Sequence, residues 1–160
     1  MTSDSPTRPI RTVLVGLDGS EESERAGAFA GRLAVSMGAV VVAAHATGLL
    51  DVWPDDPDHG SDRNSHARVQ ELMRTTWVES VRSEGIEPEI VCRDGTPAHV
   101  LLALADELSA DLIVVGTRGV GAADPYGLGS VATKLTHEST RPVVVVPAPS
   151  PRRRVTPDGS

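Results

Sequence analysis

The sequence predicts an α/β protein, a single domain built on an open, doubly wound five-stranded parallel sheet with helices on both faces. Three observations predict it. Five short aliphatic runs alternate with longer segments that carry the apolar period of amphipathic helices, which is the pattern of strands joined by crossover helices. Most of those runs are apolar throughout rather than at every second residue, as strands covered on both faces must be. The length, 160 residues, suits one domain with a substantial core and is short for two.

Each element follows in chain order. Val13, Leu14 and Val15 form a β-branched run that stops at the turn residues Gly16, Asp18 and Gly19, and this is the first strand. Ser20 followed by Glu21, Glu22 and Glu24 reads as a helix start, because a small polar cap and early carboxylates satisfy free N–H groups and the positive dipole end. Ala26, Phe29, Ala30, Leu33, Ala34 and Met37 give that helix one apolar face, and Gly38 ends it. "AVVVAAHAT" is the second strand, and "GLLDVWPDDPDHGSD" after it is a loop. A helix is expected from about Arg63 to Glu84, with Val69, Leu72, Met73, Thr76 and Val81 on its inner face and Gly85 at its end. "EPEIVCRDG" is a shorter third strand. Thr96 then caps a helix with Pro97 at its first position and an inner face of Ala98, Leu101, Leu102, Ala105 and Leu108. "DLIVVG" is the fourth strand, Ser130 to about Ser139 the last helix, and "PVVVVP" the fifth strand.

Only 2% of residues are aromatic, so Val, Leu, Ile and Ala must fill the core. A net charge of −7 disfavours a general nucleic-acid binder, which needs Lys and Arg to displace phosphate counterions. A lone cysteine, Cys92, excludes an intramolecular disulfide and any multi-cysteine metal site. "MTSDSPTRPI" contains no apolar run, and no segment approaches the ~18 apolar residues of a membrane span, so a cytoplasmic protein without membrane partners is expected. Residues 1–9 and the Pro- and Arg-rich 148–160 have no apolar period and are expected to be disordered tails flanking a domain over 10–147.

The segment "GTRGVGAADPYGLGS" follows the fourth strand and sets Gly116, Gly119 and Gly129 ahead of Ser130. In an open α/β sheet the ligand crevice lies beyond the carboxyl ends of the strands where their order reverses, and the loops after Gly16 and Gly116 emerge there. Glycines let backbone amides approach an anion, and Ser130 at a helix start adds a hydroxyl and the positive dipole end. The ten-residue step from Gly119 to Gly129 fits neither the Walker loop nor the dinucleotide fingerprint. Asp18 has two compatible readings, as a cap of the first helix and as a ligand contact. His45, in an apolar strand, is expected to be a satisfied core histidine, and no protein metal site is predicted.

That spacing, G-x2-G-x9-G-S, resembles the nucleotide-binding members of the universal stress protein family. The resemblance extends from "VLVGLDGS" through "AAHAT" and "DGTPAHVLLALADELSADLIVVGTRG" to "LGSVATKLTHESTRPVVVVP". It implies a Rossmann-like fold of the adenine nucleotide alpha hydrolase type and ATP, with its Mg²⁺, as the ligand. It implies further that the triphosphate meets Gly116, Thr117, Arg118, Gly119, Val120, Gly121, Gly129 and Ser130. Gly16 and Asp18 would line the ribose and adenine side, and Ala46 would meet adenine through its backbone. Arg118 is read either as a phosphate partner or as a solvated loop residue, and Asp124, in "ADPYG", is expected to point outward. The function implied is that of a regulatory module whose nucleotide state controls conformation or the choice of a protein partner. No catalytic residue is assigned; a slow ATPase or phosphotransferase, or a structural dimer with an empty crevice, are the alternatives. "PVVVVP", from Pro142 to Pro147, is expected at a sheet edge, where its open ladder would pair two copies into a homodimer.

Overall fold

A computed structural model describes residues 8–48, 62–119 and 127–149. Strands β1 (Thr12–Gly16), β2 (Val40–Thr47), β3 (Glu89–Asp94), β4 (Leu112–Gly116) and β5 (Val143–Val146) form one all-parallel sheet in the order β3-β2-β1-β4-β5. The chain starts in the middle of this sheet, lays β2 and β3 outward on one side, then returns to add β4 and β5 on the other. The order therefore reverses between β1 and β4. Val13, Leu14 and Val15 of the central strand are wholly buried, which their unbroken aliphatic run anticipates.

Helix α1 (Glu21–Met37) begins where Ser20 Oγ accepts a hydrogen bond from Ser23 N at 3.1 Å, and ends at Gly38 with φ +65°. Its buried stripe is built of small residues, Ser23, Ala26, Gly27, Ala30, Gly31 and Ala34. Small residues let the neighbouring helix approach closely: a Cβ on Gly31 would stand 2.9 Å from Glu84 Cβ. Met37, expected on the inner face, lies beyond this stripe in the last turn and is exposed.

The single helix expected over 63–84 is interrupted. It consists of α2 (Asp62–Leu72), a π-helical turn over Met73–Trp77, and α3 (Glu79–Arg82). In the wide turn Val78 N reaches back five residues to Met73 O at 3.3 Å. The extra residue turns Thr76, expected inside, out to solvent and turns Trp77 into the core. Helix α4 (Pro97–Glu107) starts as expected behind Thr96, whose extended backbone admits Pro97 at the first position, although its hydroxyl makes no capping bond. Leu108, expected on the inner face of α4, is instead the exposed residue that closes it. Helix α5 spans Ser130–Glu138.

Two cores result. One face of the sheet, with Val13, Val15, Val41 and Ala43, packs on α1 and the α2–α3 segment; the other, with Leu14, Val42, Ala44 and Ile113, packs on α4 and α5. The half-buried valines of β5 alternate between them, Val144 and Val146 to the first and Val143 and Val145 to the second. No helix among the described residues is long and apolar enough to cross a membrane.

At the end of the sheet opposite Gly16 and Gly116, Asp111 joins β1 to β4. Its Oδ2 accepts from Arg11 N at 2.7 Å and Thr12 N at 2.9 Å, and Arg8 stands 3.5 Å from Oδ1. The amide of Arg11 above all, then that of Thr12 and the charges of Arg8 and Arg141, hold the carboxyl below its ordinary range against the opposing effect of burial. Its contribution is present above the unfolded-state value of about 3.9 and is lost as pH falls through the lower folded-state value. Asp111→Asn is expected to cost about 1–3 kcal/mol at neutral pH. In urea unfolding at stepped pH, the gap between the two proteins should narrow and close on acidification; a gap that persists in acid would assign the effect to packing.

Candidate functional site

The loops that leave β1 and β4 lie side by side, because Val15 pairs with Val114 at the point where strand order reverses. In the first loop Asp18 Oδ1 accepts from Ser20 N at 3.0 Å and from Ser20 Oγ at 2.6 Å, while Asp18 N donates to Ser23 Oγ at 3.3 Å. Ser20 is thus the cap of α1, and one carboxylate oxygen of Asp18 orients it. The other, Oδ2, faces the second loop, where a Cβ on Gly119 would collide with it.

The second loop is held by its own backbone. Thr117 donates twice to Val146 O, from its amide at 3.2 Å and its hydroxyl at 3.0 Å, and Gly129 N donates to Thr117 O at 2.8 Å. Gly129 caps α5, so Ser130 is the first helical residue and Thr133 N closes the first turn on Gly129 O at 3.0 Å. The amides of Ser130, Val131 and Ala132 thereby have no intrahelical acceptor, which is the electrostatic setting that suits an anion. The amides of Thr117 and Gly129 are engaged by protein carbonyls.

Each motif glycine stands where a side chain would strike a neighbour. A Cβ on Gly116 would lie 2.9 Å from the backbone carbon and oxygen of Glu22, and one on Gly129 would lie 3.1 Å from Arg118 Cα. The three glycines therefore bring the β4–α5 loop into contact with itself, with Asp18 and with the first turn of α1. Gly16 has its own reason to lack a side chain, since a Cβ there would lie 3.0 Å from Leu101 Cδ1. Ala46 lies two residues beyond Ala44, the partner of Gly16, and pairs with Arg93. Val120, Gly121 and Asp124 lie outside the described residues.

Arg118 is not simply solvated. Its Nη2 lies 2.9 Å from Glu22 Oε1, and the two side chains are only 22% and 15% exposed. Glu22 was legible in the sequence as one of three helix-starting acids; its partner 96 positions away was not. The floor under the β1–α1 loop was also missed. The Trp77 indole lies against Gly19, and its ring meets that of His45 edge-on at 4.9 Å and 65°. His45 itself is the satisfied core histidine expected, buried and donating from Nδ1 to Leu17 O at 2.7 Å. Among the described residues no group of three or more His, Cys, Asp or Glu is placed to hold a metal ion.

The five-stranded parallel sheet with its order reversed between β1 and β4 agrees with the family comparison: the model of the universal stress protein family matches residues 9–147. The chain belongs to the universal stress protein family. Among its relatives, universal stress protein YxiE of Bacillus subtilis is 33% identical over 147 residues, covering 84% of this chain and 97% of its own length. A universal stress protein of Thermus aquaticus is 35% identical over 144 residues, with coverage of 86% and 98%. Among solved structures, a universal stress protein in complex with cAMP superposes with a TM-score of 0.65 at 31% identity, covering 87% of this chain and 98% of its own. The match of this universal stress protein runs over nearly the full length of these relatives.

Proposed function

We propose that the crevice between β1 and β4 binds ATP, with Mg²⁺ carried by the nucleotide, and that the protein is a cytoplasmic regulatory module rather than an enzyme. The observation that carries this reading is the closure of Gly116, Gly119 and Gly129 around Asp18 and the start of α5. The motif positions themselves add no side chain between the loop backbone and an incoming phosphate, and Asp18 Oδ2 borders that approach. Gly119 and the first-turn amides of α5, beginning with Ser130, take the phosphates, while Gly116, Thr117 and Gly129 shape the loop; Val120 and Gly121 complete it. Gly16, Asp18 and Ala46 line the ribose and adenine side. The cAMP carried by a relative at 31% identity supports an adenine nucleotide in this fold. The binding unit is the body 10–147, with 1–9 and 148–160 as tails, and the nucleotide acts by changing conformation or the protein partner that is bound.

Gly119→Ala tests the site. Its methyl displaces Asp18 Oδ2 and fills the approach to the loop, so ATP affinity is expected to drop tenfold or more, a cost of about 1–3 kcal/mol. Calorimetry on the folded variant with unchanged affinity would refute the assignment, and rapid Mg²⁺-dependent phosphate release by the wild type would make the protein an enzyme.

The open edge of β5 supports a homodimer through Pro142–Pro147. Ile113 N donates to Pro142 O and Thr117 N to Val146 O, so the intervening Val143 and Val145 turn their N–H and C=O groups outward. Val145→Pro removes an outward donor while sparing the ladder to β4. It is expected to convert dimer to monomer in light scattering; an unchanged dimer would place the interface elsewhere.

A further inference from the structure

We infer that Glu22 acts as a latch on Arg118 and thereby sets the affinity of the crevice for polyphosphates. The inference rests on the nucleotide-binding reading above and concerns its regulation. Glu22 is fixed in the first turn of α1, where the helix dipole favours a carboxylate. Its backbone is pressed against β4, since a Cβ on Gly116 would come within 2.9 Å of it. Its side chain is 15% exposed and its Oε1 meets Arg118 Nη2 at 2.9 Å, with Arg25 Nη2 more distant at 4.0 Å. Arg118 lies between Thr117 and Gly119 in the loop itself, so a cation of the glycine loop is already paired with a carboxylate of the protein.

A guanidinium presents the same planar fork to carboxylate and to phosphate, so the two compete for it. A phosphate arriving at Gly119 must take Arg118 from Glu22, and it does so beside two fixed negative charges, Glu22 and the Asp18 oxygen facing Gly119. Because Glu22 is shielded from water, its repulsion is screened little. Glu21, one residue earlier, has 90% of its side chain in solvent and exerts no comparable effect.

The test is calorimetric titration of the full chain with Mg²⁺–ATP, alongside thermal unfolding of each variant. Glu22→Gln is expected to tighten binding about tenfold and Glu21→Gln by less than about twofold. Arg118→Met should cost more affinity in the Glu22→Gln background than in the wild type, because there the charged competitor of phosphate for the guanidinium has been removed. If Glu22→Gln fails to fold, Glu22→Asp retains the charge at the helix start but withdraws it from Arg118, and a smaller gain is expected. Wild-type binding with no gain in either Glu22 variant overturns the latch and leaves the site standing. Binding absent from both wild type and Glu22→Gln overturns the site and the latch together.

Discussion

Trp77→Ala is expected to lower the free energy of unfolding by about 3–5 kcal/mol, the range for truncating a large buried aromatic side chain. Trp77 is only 8% exposed, in a chain with few aromatic residues, and it belongs to the core between the sheet and α1. Its removal leaves a void beneath Gly19 and takes the edge contact from His45, so the β1–α1 loop that carries Asp18 loses its floor. Urea unfolding followed by far-ultraviolet circular dichroism measures the loss, and Trp77→Phe, which keeps a ring, should recover a large part of it. A drop below about 1 kcal/mol would mean that the loop is supported by other contacts.

Gly19→Ala should be costly for a related reason. The backbone there has φ +79°, which an alanine resists, and the added Cβ would lie 2.6–2.9 Å from three atoms of the indole. Backbone strain and overpacking together give an expected loss of about 2–4 kcal/mol. The two changes are not additive: with Trp77 truncated, only the backbone part, about 1–2 kcal/mol, should remain. Equal costs in both backgrounds would show that the indole yields to the methyl freely.

This pair also marks what the sequence could and could not disclose. The strands were legible because a parallel sheet buried on both faces demands unbroken aliphatic runs, and Val13–Val15 and Val41–Ala44 supply them. The caps at Ser20 and Gly38 were legible because they are local chemistry. Trp77 was not, because a regular helical period over 63–84 puts Thr76 rather than Trp77 on the inner face. The signal was nevertheless there: Val69, Met73, Trp77 and Val81 recur at four-residue steps. On a regular helix such steps would drift by about 120° across the set, so a stripe kept in register requires a widened turn. At the site, the glycine spacing pointed to the loop, but the reason for each glycine lies in contacts with Glu22, Asp18 and Arg118 that no short-range pattern encodes. Arg118 and Glu22 meet only because strand order reverses between the elements that carry them.

The placement of the earliest strand in the middle of the sheet has a consequence for synthesis. β1 finds β2 soon after it is made, yet its other side waits for β4, and the Asp111–Arg11 bond that joins them spans 100 positions. At ordinary elongation rates this interval is roughly 5–20 s, during which a strand that is wholly buried in the finished protein over Val13–Val15 has one unpaired ladder. Translation that stalls before Leu112 leaves that ladder open with no later segment to cover it, so the incomplete chain, unlike the finished one, exposes the centre of its sheet as an edge.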